Sequence, residues 1–289
     1  MSLAQLIPVA LQVSIFAIVF ALGLSVGTNE ATWALRHPKA LARVVLAMFV
    51  IMPLVAAAMA AAFDLNPAVK VALVALALSP VPPLLPRKGM KAGGEAAQAV
   101  GLLVAASFLA IVITPAGLPL IADWFGLEVA VPTRQIVKVI ALSVLVPLVA
   151  GLILRQLAPG LSARISGPIS KLASLLLVLA LLPILFTAAP AMWSLVGGGT
   201  LLALAGFVVV GLAVGHWLAG ERAEDRTVLA LSTATRHPGV AMALAGAVAA
   251  EAARPEGRLV APAILLYLLI GAIVSAVYLA IRRKSAARG

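Results

Sequence analysis

The sequence predicts an all-α membrane protein with about nine transmembrane helices, and three observations carry that expectation. Of its 289 residues, 63% are hydrophobic and 11% charged, whereas a soluble domain carries about a quarter charged residues. The apolar residues form long runs separated by short charged or Pro/Gly-rich breaks. The basic residues sort to alternate breaks. A soluble core could not hide this much apolar surface, but a bilayer supplies the apolar solvent.

A membrane-crossing helix needs roughly 20 mainly apolar residues. Nine runs qualify, near 5–26, 41–63, 67–85, 96–125, 136–157, 169–188, 198–218, 228–250 and 259–281. The first ten residues carry no Lys or Arg, and the run that follows reaches Val26. It is too long for a signal h-region and lacks a basic n-region, so it is expected to be the first span. With the N-terminus outside, 15 of the 21 Lys and Arg residues fall on the inner side, 5 on the outer side, and Arg236 within a span. This bias predicts an outer N-terminus and a cytoplasmic C-terminus in a plasma or inner membrane. The connections are short, so residues 1–289 read as one membrane domain.

The net charge of +11 is dispersed among apolar runs. It is expected to set orientation in a lipid bilayer and not to bind nucleic acid. The absence of cysteine excludes disulfides, thiol catalysis and cysteine metal sites. No paired Asp within a span, His-Glu-x-x-His or Gly-rich phosphate loop occurs, so the chain does not read as an enzyme. An intramembrane enzyme is the least favoured alternative.

Two runs are interrupted. In the third, Ser79 is followed by Pro80, Pro82, Pro83 and Pro86, which remove four backbone donors and forbid a continuous helix. The twelve residues before the break rise about 18 Å. In the eighth, Ser232, Thr233, Thr235, Arg236 and His237 precede Pro238 and Gly239, after a rise of about 15 Å from the other side. The two breaks are expected to meet. Freed backbone groups in a bilayer need protein or a watery cavity, and paired broken helices point to a transporter binding site. Two ordinary proline kinks are the alternative. A charge at mid-span costs about 2.5–3.5 kcal/mol on insertion scales and is functional by default. Arg236 is therefore the leading candidate, either for contact with a substrate anion or for tying loose carbonyls. His237 is a candidate for binding, proton carriage or capping. Ser79, Ser232, Thr233 and Thr235 either line a polar cavity or bond back to their own helices. Two half-helix starts are expected to add positive dipole ends near the break. His216 is expected to face the membrane interface.

The segments Ser79–Pro86 and Ser232–Ala241, the Leu35–Ala40 loop, and Gly94-Glu95 with a helix ending at Thr114-Pro115 resemble the bile acid:sodium symporter family. The resemblance covers nearly the whole chain. It implies two inverted repeats divided into panel and core domains, with two discontinuous helices crossing in the core. It also implies the nine-helix form, with residues 1–125 as an incomplete repeat of four helices and 135–281 as a full repeat of five. The family pattern of the second crossover, Glu-x-x-x-Gln-Asn, falls on Ser232, Arg236 and His237. The first crossover pattern falls on Val81, Pro82, Leu85 and Pro86, and the sodium-binding hydroxyl positions on Ala99 and Leu103. No sodium-ligand side chain is retained, and a fixed guanidinium repels a cation. The resulting expectation is a secondary transporter for a small organic anion, with no metal or cofactor and with doubtful sodium coupling. A non-transporting sensor or scaffold that keeps the fold is the alternative from another class.

Overall fold

The computed structural model describes residues 3–86, 95–124, 133–220, 223–251 and 257–286. Among them every regular element is helical, because a single helix satisfies its own backbone in hydrocarbon. The helices are α1 (Leu3–Ser25), α2 (Pro38–Ala62), α3 (Pro67–Leu78), α4 (Ala96–Trp124), α5 (Thr133–Leu157), α6 (Pro159–Ser194), α7 (Thr200–Leu218), α8 (Ala223–Ala234), α9 (Pro238–Glu251) and α10 (Gly257–Ala286). Two single turns, Thr28–Ala31 and Trp33–Arg36, join α1 to α2. Seven helices among the described residues are long and apolar enough to cross a membrane: α1, α2, α4, α5, α6, α7 and α10. The 12 residues of α3, 12 of α8 and 14 of α9 are each too few to cross alone.

The structure differs from the sequence reading at several boundaries. The fourth helix fills the expected run 96–125, continuing through Pro115 and Pro119 to Trp124, past the Thr114-Pro115 end that the resemblance implied. Each proline removes one ladder bond, whereas unwinding in hydrocarbon would strand several. α2 begins at Pro38 and α6 at Pro159, because a proline in the first turn gives up an N–H that had no helical partner.

Two spans contain a π-helical stretch, Leu46–Ile51 in α2 and Ala141–Leu145 in α5. In each, the following residue donates five residues back, Met52 to Ala47 and Val146 to Ala141. The next residue is a proline, Pro53 or Pro147. The carbonyls of Met48 and Leu142 thus lose both their i+4 and their i+5 helical donors.

Two helix groups result. α1 packs on α5 and α6. Gly23 and Gly151 let α1 and α5 touch backbone to backbone, and a Cβ on either would overlap a carbonyl of the other helix. α6 is 36 residues long and turns Leu172, Leu175, Leu179, Phe186 and Trp193 outward. In the second group α7 packs on α8 and α10, and α3 on α9 and α10. Gly211 and Gly215 of α7 bring its backbone against Ala234 and Ala230 of α8. The chain enters α7 through Gly198 and Gly199, both at positive φ (52° and 83°), where a side chain is strained.

Candidate functional site

α3 stops at Leu78, and Ser79 is already extended. Within a continued helix the carbonyls of Leu78 and Ser79 would receive N–H from residues 82 and 83, and both are proline. Other groups take over. The Thr114 hydroxyl of α4 donates to Leu78 O at 2.8 Å. α8 stops at Ala234, whose helical donor would be residue 238, again a proline. The Tyr267 hydroxyl of α10 donates to Ala234 O. Each half-helix therefore ends on a carbonyl stripped by a proline four residues on and is closed by a hydroxyl from the next long helix.

The breaks touch. The His237 backbone N–H donates to Pro80 O at 2.9 Å. Arg236 lies beside this contact and is 1% exposed. Its Nη1 donates to Ser79 O at 3.2 Å and to Met48 O at 3.3 Å, two more carbonyls that prolines have left without helical donors. Its Nε and Nη2 are buried and have no hydrogen-bond partner among the described residues. Nε–H and the outer Nη2–H point the same way, along the edge that grips an oxyanion bidentately. The guanidinium is thus anchored through one nitrogen, while its fork-shaped edge is unengaged.

Of the half-helix ends described, α3 and α8 present C-termini to the crossing, α9 presents a start at Pro238, and helical backbone begins again at Leu85. The segment after Pro86 lies outside the described residues through residue 94. Two C-termini carry partial negative charge and favour the Arg236 guanidinium where it stands.

The family model for the Sodium Bile acid symporter family matches residues 12–194. The chain belongs to this family. It is an integral membrane protein with the make-up of a transporter of the sodium bile acid symporter family. The matched stretch runs from within α1 to the end of α6, includes the first break, and ends before the second. The resemblance to nearly the whole chain is in this respect broader than the match. No curated protein matches the chain.

Val81, Leu85, Ala99 and Leu103 are buried hydrocarbon. The four candidate hydroxyls spend their protons on their own helices. Ser79 donates to Leu76 O, Ser232 to Val228 O and Thr233 to Leu229 O, each at 2.8 Å, and Thr235 to Leu231 O at 2.6 Å. Pro80, Pro82, Pro83 and Pro86 occupy the first break. Pro238 and Gly239 open α9 and lie just beyond the second break, which comprises Thr235, Arg236 and His237. His237 is 3% exposed, and its Nε2 lies 2.9 Å from the Ser143 hydroxyl of α5. His216 is half-buried, with Nδ1 2.8 Å from the Tyr278 hydroxyl of α10, so this ring is turned onto a neighbouring helix. Sequence reasoning missed Met48, Thr114, Ser143 and Tyr267. The spacing of Pro82 and Pro238 marks the stripped carbonyls of Leu78 and Ala234, but not the hydroxyls that meet them.

Proposed function

We propose that this family member is a secondary transporter that carries a small organic anion by alternating access, with Arg236 receiving the anion. The observation behind this reading is the buried guanidinium, anchored through Nη1 and unpartnered at Nε and Nη2. A carboxylate or sulfonate fits that edge and would neutralise a charge that has no acidic partner among the described residues.

The proposal includes nine crossings, an outer N-terminus and a cytoplasmic C-terminus in a plasma or inner membrane, and inverted repeats over 1–125 and 135–281. Its support is the recurrence of one device in both halves: Leu78, Pro82 and Thr114 in the first, Ala234, Pro238 and Tyr267 in the second. The group α1, α5 and α6 would rock against the group carrying the breaks. Sodium coupling is not part of the proposal, because Nη1 holds carbonyls that a hard cation would need. A proton gradient or simple facilitated movement is the proposed driver.

Titration calorimetry of the purified protein with a series of aliphatic and aromatic carboxylates and sulfonates tests this, in sodium and in choline at constant ionic strength. Saturable binding that is equal in both salts and lost in Arg236→Ala is expected. Binding that rises steeply and saturably with sodium contradicts the sodium-free reading. If no anion binds and Arg236→Ala fails to fold, Arg236 is a clamp and the chain is a scaffold or sensor.

A further inference from the structure

We infer that Ser143 is a positioning residue for the transport cycle, a latch that holds the two helix groups in the arrangement seen here. The inference rests on the alternating-access reading above. Ser143 sits in the π-helical stretch of α5, in the group with α1 and α6. Its hydroxyl donates to Val139 O at 2.6 Å, so its oxygen accepts from His237 Nε2 at 2.9 Å. His237 Nδ1 faces the Val240 N–H at a long 3.4 Å, which assigns the ring proton to Nε2. The chain of donors therefore has one direction, from Nε2–H to the Ser143 oxygen and from Ser143 to Val139 O.

His237 reaches three separate elements: its backbone N–H holds Pro80 of the first break, its Nε2 holds α5, and its Nδ1 faces the first turn of α9. The groups approach closely there, since a Cβ on Gly239 would stand 3.2 Å from the His237 ring and 3.3 Å from the Val139 side chain. Ser143 and His237 are 94 residues apart, so the bond ties one helix group to the other. Rocking of the groups must break it. An anion arriving at Arg236 meets the residue next to the latch. On the α5 side the ladder is already opened by the π-helical stretch and Pro147, a feature frequent at functional sites.

The chain has no cysteine, so introduced cysteines are the sole labelling sites. Leu161→Cys on α6 and Trp217→Cys on α7 place spin labels at exposed positions, one on each group. Pulsed dipolar spectroscopy of the full chain in lipid nanodiscs then gives the inter-group distance distribution without added anion. A single hydrogen bond of this kind changes a two-state ratio about fivefold. Ser143→Ala should shift the distribution by about that factor, and Ser143→Thr, which keeps the hydroxyl, should match the parent. Two distances whose ratio is the same in parent and Ser143→Ala overturn the latch and leave alternation standing. An equal shift in Ser143→Ala and Ser143→Thr assigns the effect to packing and also overturns it. One unchanging distance in all three proteins overturns the alternating reading and the latch with it.

Discussion

In the first break, 79–86, four of eight residues are proline and none is charged; in the second, 235–237, three residues include a guanidinium and an imidazole. The first break is poor in donors and rich in carbonyls. The second brings donors: Arg236 Nη1 to Ser79 O, and the His237 N–H to Pro80 O. The two are complements, and the crossing is held by donors of one meeting acceptors of the other. The difference teaches that a bilayer tolerates a break of either kind when the unmet groups of one chain segment are matched by another. It also explains why one charge suffices, since a single guanidinium nitrogen serves carbonyls stripped by two separate prolines.

Removing the donor side should have the largest effect. Arg236→Ala is expected to lower anion affinity at least about 100-fold, read by calorimetry, while size-exclusion profiles stay monodisperse. The truncation also leaves Met48 O and Ser79 O without their donor, at a cost of about 1–3 kcal/mol for each buried group. Arg236→Lys keeps the charge but not the planar fork, and an ammonium cannot both hold the two carbonyls and grip an anion bidentately. About a 10-fold loss is expected, and an affinity equal to the parent would remove the fork from the argument.

Altering the acceptor side is a smaller perturbation. Pro83→Ala restores an N–H four residues after Ser79, so the backbone competes with Arg236 for Ser79 O. A three- to tenfold change in affinity, roughly the worth of one hydrogen bond, would sharpen the complementarity, and unchanged binding would count against it. The smallest effects are expected where the two breaks behave alike. Thr114→Val and Tyr267→Phe each leave one terminal carbonyl unmet, and each should cost about 1–3 kcal/mol in chemical denaturation. A near-equal cost supports equivalent halves, and a cost in only one would break the equivalence.

Much of the fold was legible. The apolar runs at 96–125 and 198–218 anticipated α4 and α7 closely, because length and hydropathy decide a span with little help from tertiary structure. The first break was legible at Leu78, since four prolines leave the backbone no alternative. The site was legible only at Arg236 and His237, which stand out as polar groups where polar groups are costly. The hydroxyls that close the crossing did not stand out. Thr114 and Tyr267 are 36 and 33 residues from the carbonyls they meet, and nothing local distinguishes them from a Thr or Tyr that bonds elsewhere. The π-helical stretches were also hidden, because a change of ladder register leaves the hydropathy of a span unchanged. Ser232, Thr233 and Thr235 show the alternative that the sequence left open. They stand in the right segment, yet their protons return to the helix that carries them.

The length of α6 has a mechanical consequence. Its 36 residues rise about 54 Å, against a hydrocarbon layer of about 30 Å. Arg164 and Lys171 lie in its first half, so the surplus turns stand at the headgroups and beyond. α7, with 19 residues, rises about 28 Å and has no surplus. A thicker bilayer is met on one side by drawing in turns already adapted to the interface, and on the other only by tilt or by lipid deformation. Acyl-chain length therefore loads the two helix groups unequally, and the membrane itself becomes a lever on the seam between them.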